Sequence, residues 1–173
     1  MDLKEKIRTI PDFPKPGIMF RDITTLIEDY DAFEETIKRL FTIAEKYDID
    51  KIAGIESRGF IFGTPLALKL KKGFVLIRKK GKLPGKTISQ EYDLEYGKDK
   101  IEIHTNSIEE GDKVLLIDDL IATGGSMRAA CELVEKAGGN VAAILFVVEL
   151  PDLHGRDKLK DYDVRSLVSF AGE

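Results

Sequence analysis

Two neighbouring acids and a loop of small residues form the segment of the sequence best suited to chemistry. Residues 113–126 read KVLLIDDLIATGGS, in which an apolar run is followed by Asp118 and Asp119 and then by a loop. The small residues of that loop are Ala122, Thr123, Gly124, Gly125 and Ser126. Glycines let a backbone approach a ligand closely, and free N–H groups at the start of a helix bind phosphate. The loop is therefore predicted to bind a phosphate group, with Thr123 and Ser126 adding hydroxyl donors.

The two acids must serve a different group, because carboxylates repel a phosphate unless they face hydroxyls or a metal ion. A ribose carries two vicinal hydroxyls about one sugar length from its 5′-phosphate, which suits acids placed just before a phosphate loop. Asp118 and Asp119 therefore favour a ribose 5-phosphate ligand, with Mg²⁺ if a pyrophosphate is also bound. The plainer interpretation is a strand-to-helix turn capped by Asp and Ser. The segment is neither a Walker A loop nor a Rossmann fingerprint, because both spacings are absent.

A second candidate for chemistry is the dense basic stretch at residues 78–86. Its cations are Arg78, Lys79, Lys80, Lys82 and Lys86. Nucleic acid is disfavoured as the ligand, because the stretch contains no aromatic stacking platform and the chain carries a formal net charge of -4. A solvated surface face and a site for a multiply charged group such as pyrophosphate are the remaining interpretations.

The composition limits the class of protein. The 173 residues, 43% hydrophobic and 34% charged, suit one soluble globular domain and are too few for two ordinary ones. The single cysteine, Cys131, precludes an internal disulfide and favours a reducing, cytoplasmic environment. The N-terminus MDLKEKIRTI indicates no signal peptide, and the longest apolar runs are too short to span a bilayer. No membrane partner is therefore expected.

The helices that must hold these residues show clear periodicity. The first is predicted at residues 31–47, with Asp31 and Glu34 resembling a capping box at its start. Its apolar positions recur at three- and four-residue spacing and are Phe33, Ile37, Leu40, Phe41, Ala44 and Tyr47. A second helix is predicted to begin at about Gly125 and to end at Gly138 and Gly139. Its apolar face comprises Met127, Ala130, Cys131, Val134 and Ala137.

Apolar runs between the helices predict the strands. They lie at 51–55, 74–77, 113–117 and 141–150, with a further helix-like stretch at 59–70. Strands that alternate with helices predict an α/β domain with a mostly parallel central sheet flanked by helices. Ligands of such a sheet bind beyond the carboxyl ends of the strands, where Asp118 and Asp119 are expected.

Two segments fall outside this alternation. Residues 10–30 contain three prolines and Gly17, which break regular structure and predict a fixed loop or hood. Residues 79–100 are polar and punctuated by glycines. A loop of that length inside a compact domain is usually either functional or disordered.

Residues 115–126 resemble the phosphoribosyl-pyrophosphate motif of the type I phosphoribosyltransferases. Four further blocks resemble the adenine phosphoribosyltransferases of that family: FPKPGIMFRDIT at 13–24, GIESRGFIFG at 54–63, LIRKKGKLPG at 76–85 and YDLEYGKDKIEI at 92–103. The five blocks stand in the family's order, and the resemblance extends from residue 13 to about residue 150. The resemblance implies one domain over residues 1–173 with the type I fold, in which residues 1–30 form a base-binding hood and residues 79–100 a flexible flap.

The same resemblance implies a reaction and its partners. Adenine and phosphoribosyl pyrophosphate would give AMP and pyrophosphate, with Mg²⁺ bound to the pyrophosphate and no metal ligand assigned in the protein. The phosphoribosyl group would lie on Asp118, Asp119 and the loop of small residues. The pyrophosphate would be held by Glu56, Ser57, Arg58, Arg78, Lys79 and Lys82, with a non-proline cis peptide near Glu56–Ser57. Arg78 would reach the neighbouring subunit's site, which implies a homodimer.

The base and the flap complete the implied site. Phe20 and Leu120 would sandwich the purine, backbone groups around Met19 and Arg21 would select adenine, and Leu150 would line the pocket. Glu95 would handle a proton near the purine nitrogens and is a catalytic candidate together with Arg58. Tyr96 would belong to the flap that closes over the reacting centre and excludes water. From the residues alone, Ser57 is as readily a helix cap and Glu95 an ordinary surface residue.

Two alternatives stay open at this point. A related transferase that uses xanthine, hypoxanthine or guanine would have the same phosphoribosyl motif. A non-catalytic regulator on this fold would sense the nucleotide, and such proteins usually add a nucleic-acid-binding module for which 173 residues leave no room.

Overall fold

The computed structural model describes residues 1–94 and 96–172. The strands are β1 (Arg8–Pro11), β2 (Met19–Asp22), β3 (Lys51–Ile55), β4 (Gly73–Lys79), β5 (Thr87–Asp93), β6 (Lys98–His104), β7 (Lys113–Ile121), β8 (Asn140–Glu149) and β9 (Val164–Ser169). The α-helices are α1 (Thr24–Glu28), α2 (Tyr30–Ala44), α3 (Arg58–Leu70) and α4 (Gly125–Lys136). Short 3₁₀ helices lie at Leu3–Lys6, Pro151–Leu153 and Gly155–Leu159.

A seven-stranded sheet in the order β5-β6-β4-β3-β7-β8-β9 forms the centre of the molecule. Five neighbouring strands of the sheet are parallel to one another: β4, β3, β7, β8 and β9. Strands β5 and β6 form an antiparallel hairpin, and β6 pairs with β4 in antiparallel fashion. The predicted α/β fold with a mostly parallel sheet is therefore confirmed. Because β3 and β7 are parallel neighbours, the segments that follow them emerge at the same edge of the sheet.

Helices cover both faces of this sheet. Leu115 and Ile117 of β7 join one buried cluster with α2 and α3, whereas Val114 and Leu116 join a second cluster with α4. A strand with both faces buried reads as a continuous apolar run rather than an alternating one, which explains the composition of β7 and β8.

The predicted helices are largely confirmed, but the proposed cap of the first one is wrong. Helix α2 begins at Tyr30, and its N-cap is Asp29, whose side chain accepts a hydrogen bond from the backbone N–H of Ala32 at 3.2 Å. Asp31 lies inside the first turn instead of capping it. The apolar spacing located the helix correctly, whereas several acids near its start could each have capped it.

The two segments predicted as loops contain strands. Within residues 10–30, β2 pairs with β1 in a separate antiparallel sheet, and α1 follows. Within residues 79–100, β5 and β6 form the hairpin, in which Ile101 and Ile103 of β6 are fully buried. Their period-two spacing is a strand signal that the surrounding Lys and Glu residues obscure. Within the described ranges, no helix is long and apolar enough to cross a membrane.

Candidate active site

The loop of small residues connects β7 to α4 at the carboxyl edge of the sheet. Gly124 is the N-cap of α4 and adopts a left-handed backbone with φ of 84°, a conformation that glycine reaches without steric cost. The first backbone N–H groups of a helix have no partner within the helix, so this end attracts anions. A cavity of about 100 Å³ is enclosed by residues 120–127 and Phe146. The predicted phosphate cradle thus has the expected backbone form.

The two acids are the last polar residues of β7 and lie beside that loop. Asp119 is only 4% exposed, and its Oδ2 accepts a hydrogen bond from Nε of Arg58 at 2.5 Å. Oδ1 of Asp118 accepts from the backbone N–H of Asp119 at 2.8 Å. Burial, followed by the negative charge of Asp119, raises the pKa of Asp118 well above its usual range. The pair therefore offers one ion-paired carboxylate and one carboxyl that readily holds a proton.

The segment between β3 and α3 lies next to these acids. The peptide bond between Glu56 and Ser57 is cis, as the family resemblance implied. Ser57 is the N-cap of α3, yet its side chain makes no capping hydrogen bond, so the simple capping interpretation is not supported. Arg58 is the first residue of the helix, and its side chain is 56% exposed while contacting Asp119. A cation is thereby held at the mouth of the site.

The basic stretch folds back onto the same segment through β4. Oε1 of Glu56 accepts a hydrogen bond from the backbone N–H of Lys79 at 2.6 Å and lies 3.3 Å from Nε of Arg78. The ammonium group of Lys79 contacts Asp99 at 2.7 Å, and that hydrogen bond raises the pKa of Lys79. Lys82 is exposed in the turn after β4. The structure therefore brings Arg78 and Lys79 to Glu56, pairs the Lys79 ammonium with Asp99, and leaves Lys82 in solvent.

A cleft of about 660 Å³ lies between the small N-terminal sheet and the end of β7. Its lining includes the predicted base-binding residues Met19, Phe20, Arg21, Leu120 and Leu150, together with Arg58 and Asp119. The Phe20 ring meets Phe13 edge to face, with centroids 5.1 Å apart. An aromatic and aliphatic cleft that opens onto a buried carboxylate suits a flat base attached to a sugar.

The N-terminal sheet is fixed by a buried acid that the sequence did not single out. Asp22 is 6% exposed and accepts hydrogen bonds from the backbone N–H and hydroxyl of Thr24 and from Nε of Arg8, at 3.0, 2.7 and 2.6 Å. Burial alone would raise the pKa of Asp22, but these hydrogen bonds outweigh it and lower the pKa. The signal in the sequence was Asp two residues before Thr at the start of a helix.

Arg21 was predicted to contribute both backbone and side chain to the base site. Its guanidinium donates to Oγ1 of Thr9 at 2.7 Å and to the carbonyl of Ala171 at 3.3 Å, and it stacks 4.6 Å from the Phe170 ring centroid. The side chain thus fastens the N-terminal sheet to the C-terminal segment, while the residue still lines the cleft.

The hairpin of β5 and β6 approaches the phosphate loop. A Cβ placed on Gly125 would lie 3.7 Å from the carbonyl oxygen of Asp93 and 3.9 Å from the Tyr92 ring. Tyr96, in the turn of the hairpin, is 82% exposed. Glu95, the predicted proton-handling residue, lies outside the described residues.

Comparisons with known proteins give one consistent result. The profile of the phosphoribosyl transferase domain family matches residues 24–172. A protein of Ruminiclostridium cellulolyticum named adenine phosphoribosyltransferase is 58% identical over 98% of this chain and 100% of its own length. A protein of the same name from Desulfosudis oleivorans is 54% identical over the full length of both chains.

Solved structures agree with the sequence comparisons. The crystal structure of adenine phosphoribosyltransferase from Thermoanaerobacter pseudethanolicus is 51% identical, with a TM-score of 0.95 over 98% of both chains. The enzyme of Saccharomyces cerevisiae, complexed with an imino-altritol bisphosphate and adenine, is 43% identical, with a TM-score of 0.91 over 96% of this chain and 97% of that one. The matched parts of these structures include the sheet edge on which the candidate site lies.

Proposed function

The chain belongs to the phosphoribosyl transferase family as one of its adenine phosphoribosyltransferases, and on that premise we propose how its residues form AMP and diphosphate from adenine and 5-phospho-α-D-ribose 1-diphosphate. One observation carries the proposal. The cleft between Phe20 and Leu120 opens onto Asp119, which lies beside the phosphate loop. Base, sugar and 5′-phosphate of a nucleotide therefore meet apolar surface, carboxylate and backbone N–H groups in the same order.

The phosphoribosyl group is assigned to the loop and to the two acids. Backbone N–H groups and the hydroxyls of Thr123 and Ser126 bind the 5′-phosphate at the start of α4. Asp118 and Asp119 accept from the ribose hydroxyls. Since Asp119 is paired with Arg58 in the free protein, substrate binding exchanges one partner for another and releases the guanidinium toward the leaving group.

The pyrophosphate is assigned to the neighbouring cations. Arg58, Arg78, Lys79 and Lys82 stabilise its negative charge, and Glu56 and Ser57 shape the backbone that faces it. Among residues 1–94 and 96–172, no three His, Cys, Asp or Glu side chains are grouped so as to hold a metal ion. We assign Mg²⁺ to the diphosphate oxygens of the substrate, where it would neutralise charge on the leaving group.

A homodimer is part of the proposal. Arg78 lies on β4, and we assign it to the neighbouring subunit's pyrophosphate. Support comes from apolar surface on the adjoining elements, since Leu68 of α3 is 81% exposed and Leu76 of β4 is 41% exposed. The single, buried cysteine is in keeping with a cytoplasmic location.

Adenine is assigned to the cleft formed by the N-terminal sheet. Phe20 and Leu120 sandwich its two faces, and Leu150 closes the inner end. Backbone groups around Met19 and Arg21 provide the donors and acceptors that read the edge of the base. Full-length relatives at 54–58% identity that carry the adenine name support this base over other purines.

The chemistry requires positioning and charge stabilisation rather than a covalent nucleophile. Purine N9 attacks C1 of the ribose while the bond to the diphosphate oxygen breaks, through a transition state resembling an oxocarbenium ion. Cys131 is unsuited to attack, because burial raises the pKa of its thiol to about 12. Glu95 is assigned to proton transfer at the purine, and the flap around Tyr96 is assigned to the exclusion of water.

A panel of bases tests the proposal. Purified protein is incubated with phosphoribosyl diphosphate, Mg²⁺ and one of adenine, hypoxanthine, guanine or xanthine. Adenine should give AMP and diphosphate in equal amounts, and the other bases much less. Preference for another base would point to a related transferase. Binding of ribose 5-phosphate without turnover of any base would identify a nucleotide sensor.

A further inference from the structure

A short turn late in the chain lies directly behind the phosphate loop. Gly155, the first residue of the 3₁₀ helix Gly155–Leu159, is buried. A Cβ placed on Gly155 would lie 2.5 Å from the carbonyl oxygen of Ala122. A Cβ placed on Gly124 would in turn lie 2.5 Å from the carbonyl oxygen of Gly155. The two backbones therefore touch without any side chain between them.

An ion pair fixes the turn in this position. Arg156 donates from Nε and Nη2 to the two carboxylate oxygens of Glu149, at 2.7 and 2.9 Å, and from Nη1 to the carbonyl of Val164 at 2.9 Å. The hydroxyl of Ser166 also donates to Glu149 at 2.7 Å. The hydrogen bond from Arg156 is the main reason why the pKa of Glu149 is lowered. A bidentate pair of this kind specifies geometry as well as energy.

The anchor belongs to the rigid sheet. Glu149 is the last residue of β8, which pairs with β7 up to the contact of Ile121 with Glu149. The backbone N–H of Leu150 donates to the carbonyl of Ile121 at 3.0 Å. The turn is thus anchored to the end of β8 by Arg156 and contacts the loop after β7 through Gly155.

We propose that Gly155 is a positioning residue for the 5′-phosphate, acting through the backbone of residues 122–124. The inference rests on the proposed function, because it assigns a role in binding the phosphoribosyl substrate. Backbone N–H groups bind a phosphate only at fixed positions, and a misplacement of about 1 Å can lower an enzymatic rate by about 100-fold. The φ angle of Gly155 lies outside the left-handed region. Alanine there acts through its contacts with the carbonyl of Ala122 and, at 2.8 Å, with the Ile121 side chain that precedes the loop, and not through strain of its own backbone.

The test compares Gly155→Ala with Gly73→Ala, a matched substitution whose Cβ meets no atom within 4 Å. Initial rates are measured against phosphoribosyl diphosphate and against adenine separately, and the affinity for ribose 5-phosphate is measured by calorimetry. Gly155→Ala should raise the KM for phosphoribosyl diphosphate about tenfold and weaken ribose 5-phosphate similarly, while the KM for adenine stays within about twofold. Gly73→Ala should leave both KM values within about twofold of the wild type.

A second pair of variants covers the case in which Gly155→Ala does not fold. Arg156→Gln breaks the bidentate pair but retains Gly155, and should raise the same KM about threefold. Arg156→Lys keeps one charged contact, so its KM for phosphoribosyl diphosphate should lie between those of Arg156→Gln and the wild type. A merely structural role of Arg156 would change the KM values for both substrates rather than this one alone. Unchanged KM for phosphoribosyl diphosphate, or equal increases for both substrates, would overturn the proposal.

If the proposed function is wrong, a measurement other than the one that tests Gly155 shows it. Its failure appears as absence of adenine turnover in the wild-type protein, before any variant is compared. The calorimetric comparison with ribose 5-phosphate then still decides whether Gly155 positions the phosphate loop.

Discussion

The two halves of the candidate site bind by different means. The phosphate half, residues 118–126, is embedded between β7 and α4, whose Met127 and Ala130 are nearly fully buried. The base half is a two-stranded sheet of four residues a strand, and around it Phe13 is 49% exposed and Ile18 41% exposed. Under the proposed function, a charged phosphoribosyl group would meet a rigid frame, whereas a flat base would meet a small sheet held by a few polar contacts.

Because the two halves are built differently, substitutions in each half should affect a different substrate. The phosphate half depends on carboxylates and on glycines that allow a close backbone approach, so single substitutions there should alter the phosphoribosyl substrate. The proposed base half depends on the face of Phe20 and on backbone groups, with Leu120 of the phosphate half opposite, so substitutions in the sheet should alter the KM for the base. Kinetic constants measured separately for the two substrates can therefore show whether the two halves act independently.

The largest effect is expected for Gly124→Ala in the phosphate half. A Cβ would occupy a left-handed backbone with φ of 84° and lie 2.5 Å from the carbonyl oxygen of Gly155. The loop must then move, and kcat/KM for phosphoribosyl diphosphate should fall by about 100-fold or more. Gly111→Ala is the matched control, since its φ is 83° but no atom lies within 4 Å. Equal activity in the two variants would refute the importance of loop geometry.

Asp119→Asn should have the next largest effect. It removes the carboxylate assigned to the ribose and the partner of Arg58. Hydrogen bonds to charged groups contribute about 1.5–3 kcal/mol, so kcat/KM for phosphoribosyl diphosphate should fall roughly 10- to 100-fold. Initial rates at varied phosphoribosyl diphosphate measure this, with Asp161→Asn, whose side chain is 85% exposed, as control. A change below about twofold would count against the ribose assignment.

Phe20→Ala tests the base half, and its effect should be smaller and should fall on adenine rather than on phosphoribosyl diphosphate. Stacking of a base on an aromatic ring contributes about 1–3 kcal/mol, so the KM for adenine should rise about tenfold or more. The KM for phosphoribosyl diphosphate should stay near the wild-type value. Phe20→Leu keeps an apolar face and should lose less. If both KM values rise together, the two halves are not separate.

The smallest effect concerns stability, with Asp118→Asn as the variant. The pKa of Asp118 is raised in the folded protein by burial and by the charge of Asp119. The folded state therefore keeps a proton that the unfolded state loses near pH 4, so stability falls as the pH rises between the two pKa values. Asparagine carries no such cost. The thermal midpoint of Asp118→Asn should exceed that of the wild type at neutral pH by a few degrees.

The pH dependence distinguishes this cause from a general packing effect. The difference in midpoint should shrink as the pH falls through about 4, because below that pH the wild-type carboxyl is protonated in both states. A difference that is constant with pH, or a less stable variant at neutral pH, would contradict the account. Turnover should nevertheless fall, since the residue is assigned to the ribose.

The strand, loop and helix of the phosphate half could be predicted from the sequence because its parts are contiguous. An apolar run, Asp118 and Asp119, and the glycine-containing loop follow one another within residues 113–126, and the local order also sets the spatial order. The stripe of α2 was equally readable from its period. The central sheet followed from the alternation of strands and helices.

Other parts depend on contacts that local order does not contain. Strands β1 and β2 are only four residues long and pair across a segment rich in proline. The contact of Gly155 with Ala122 joins residues more than thirty positions apart. Recognition of adenine by backbone groups, as proposed, would leave no side-chain pattern, which is why the base was inferred from resemblance to a family.

A crystal structure of the protein with AMP tests the division of the site most directly, because this product carries base, sugar and phosphate together. We expect the 5′-phosphate at the backbone N–H groups of residues 123–126, the ribose hydroxyls at Asp118 and Asp119, and adenine between Phe20 and Leu120. A phosphate bound at Arg78 and Lys79, or an adenine outside the N-terminal sheet, would contradict this expectation.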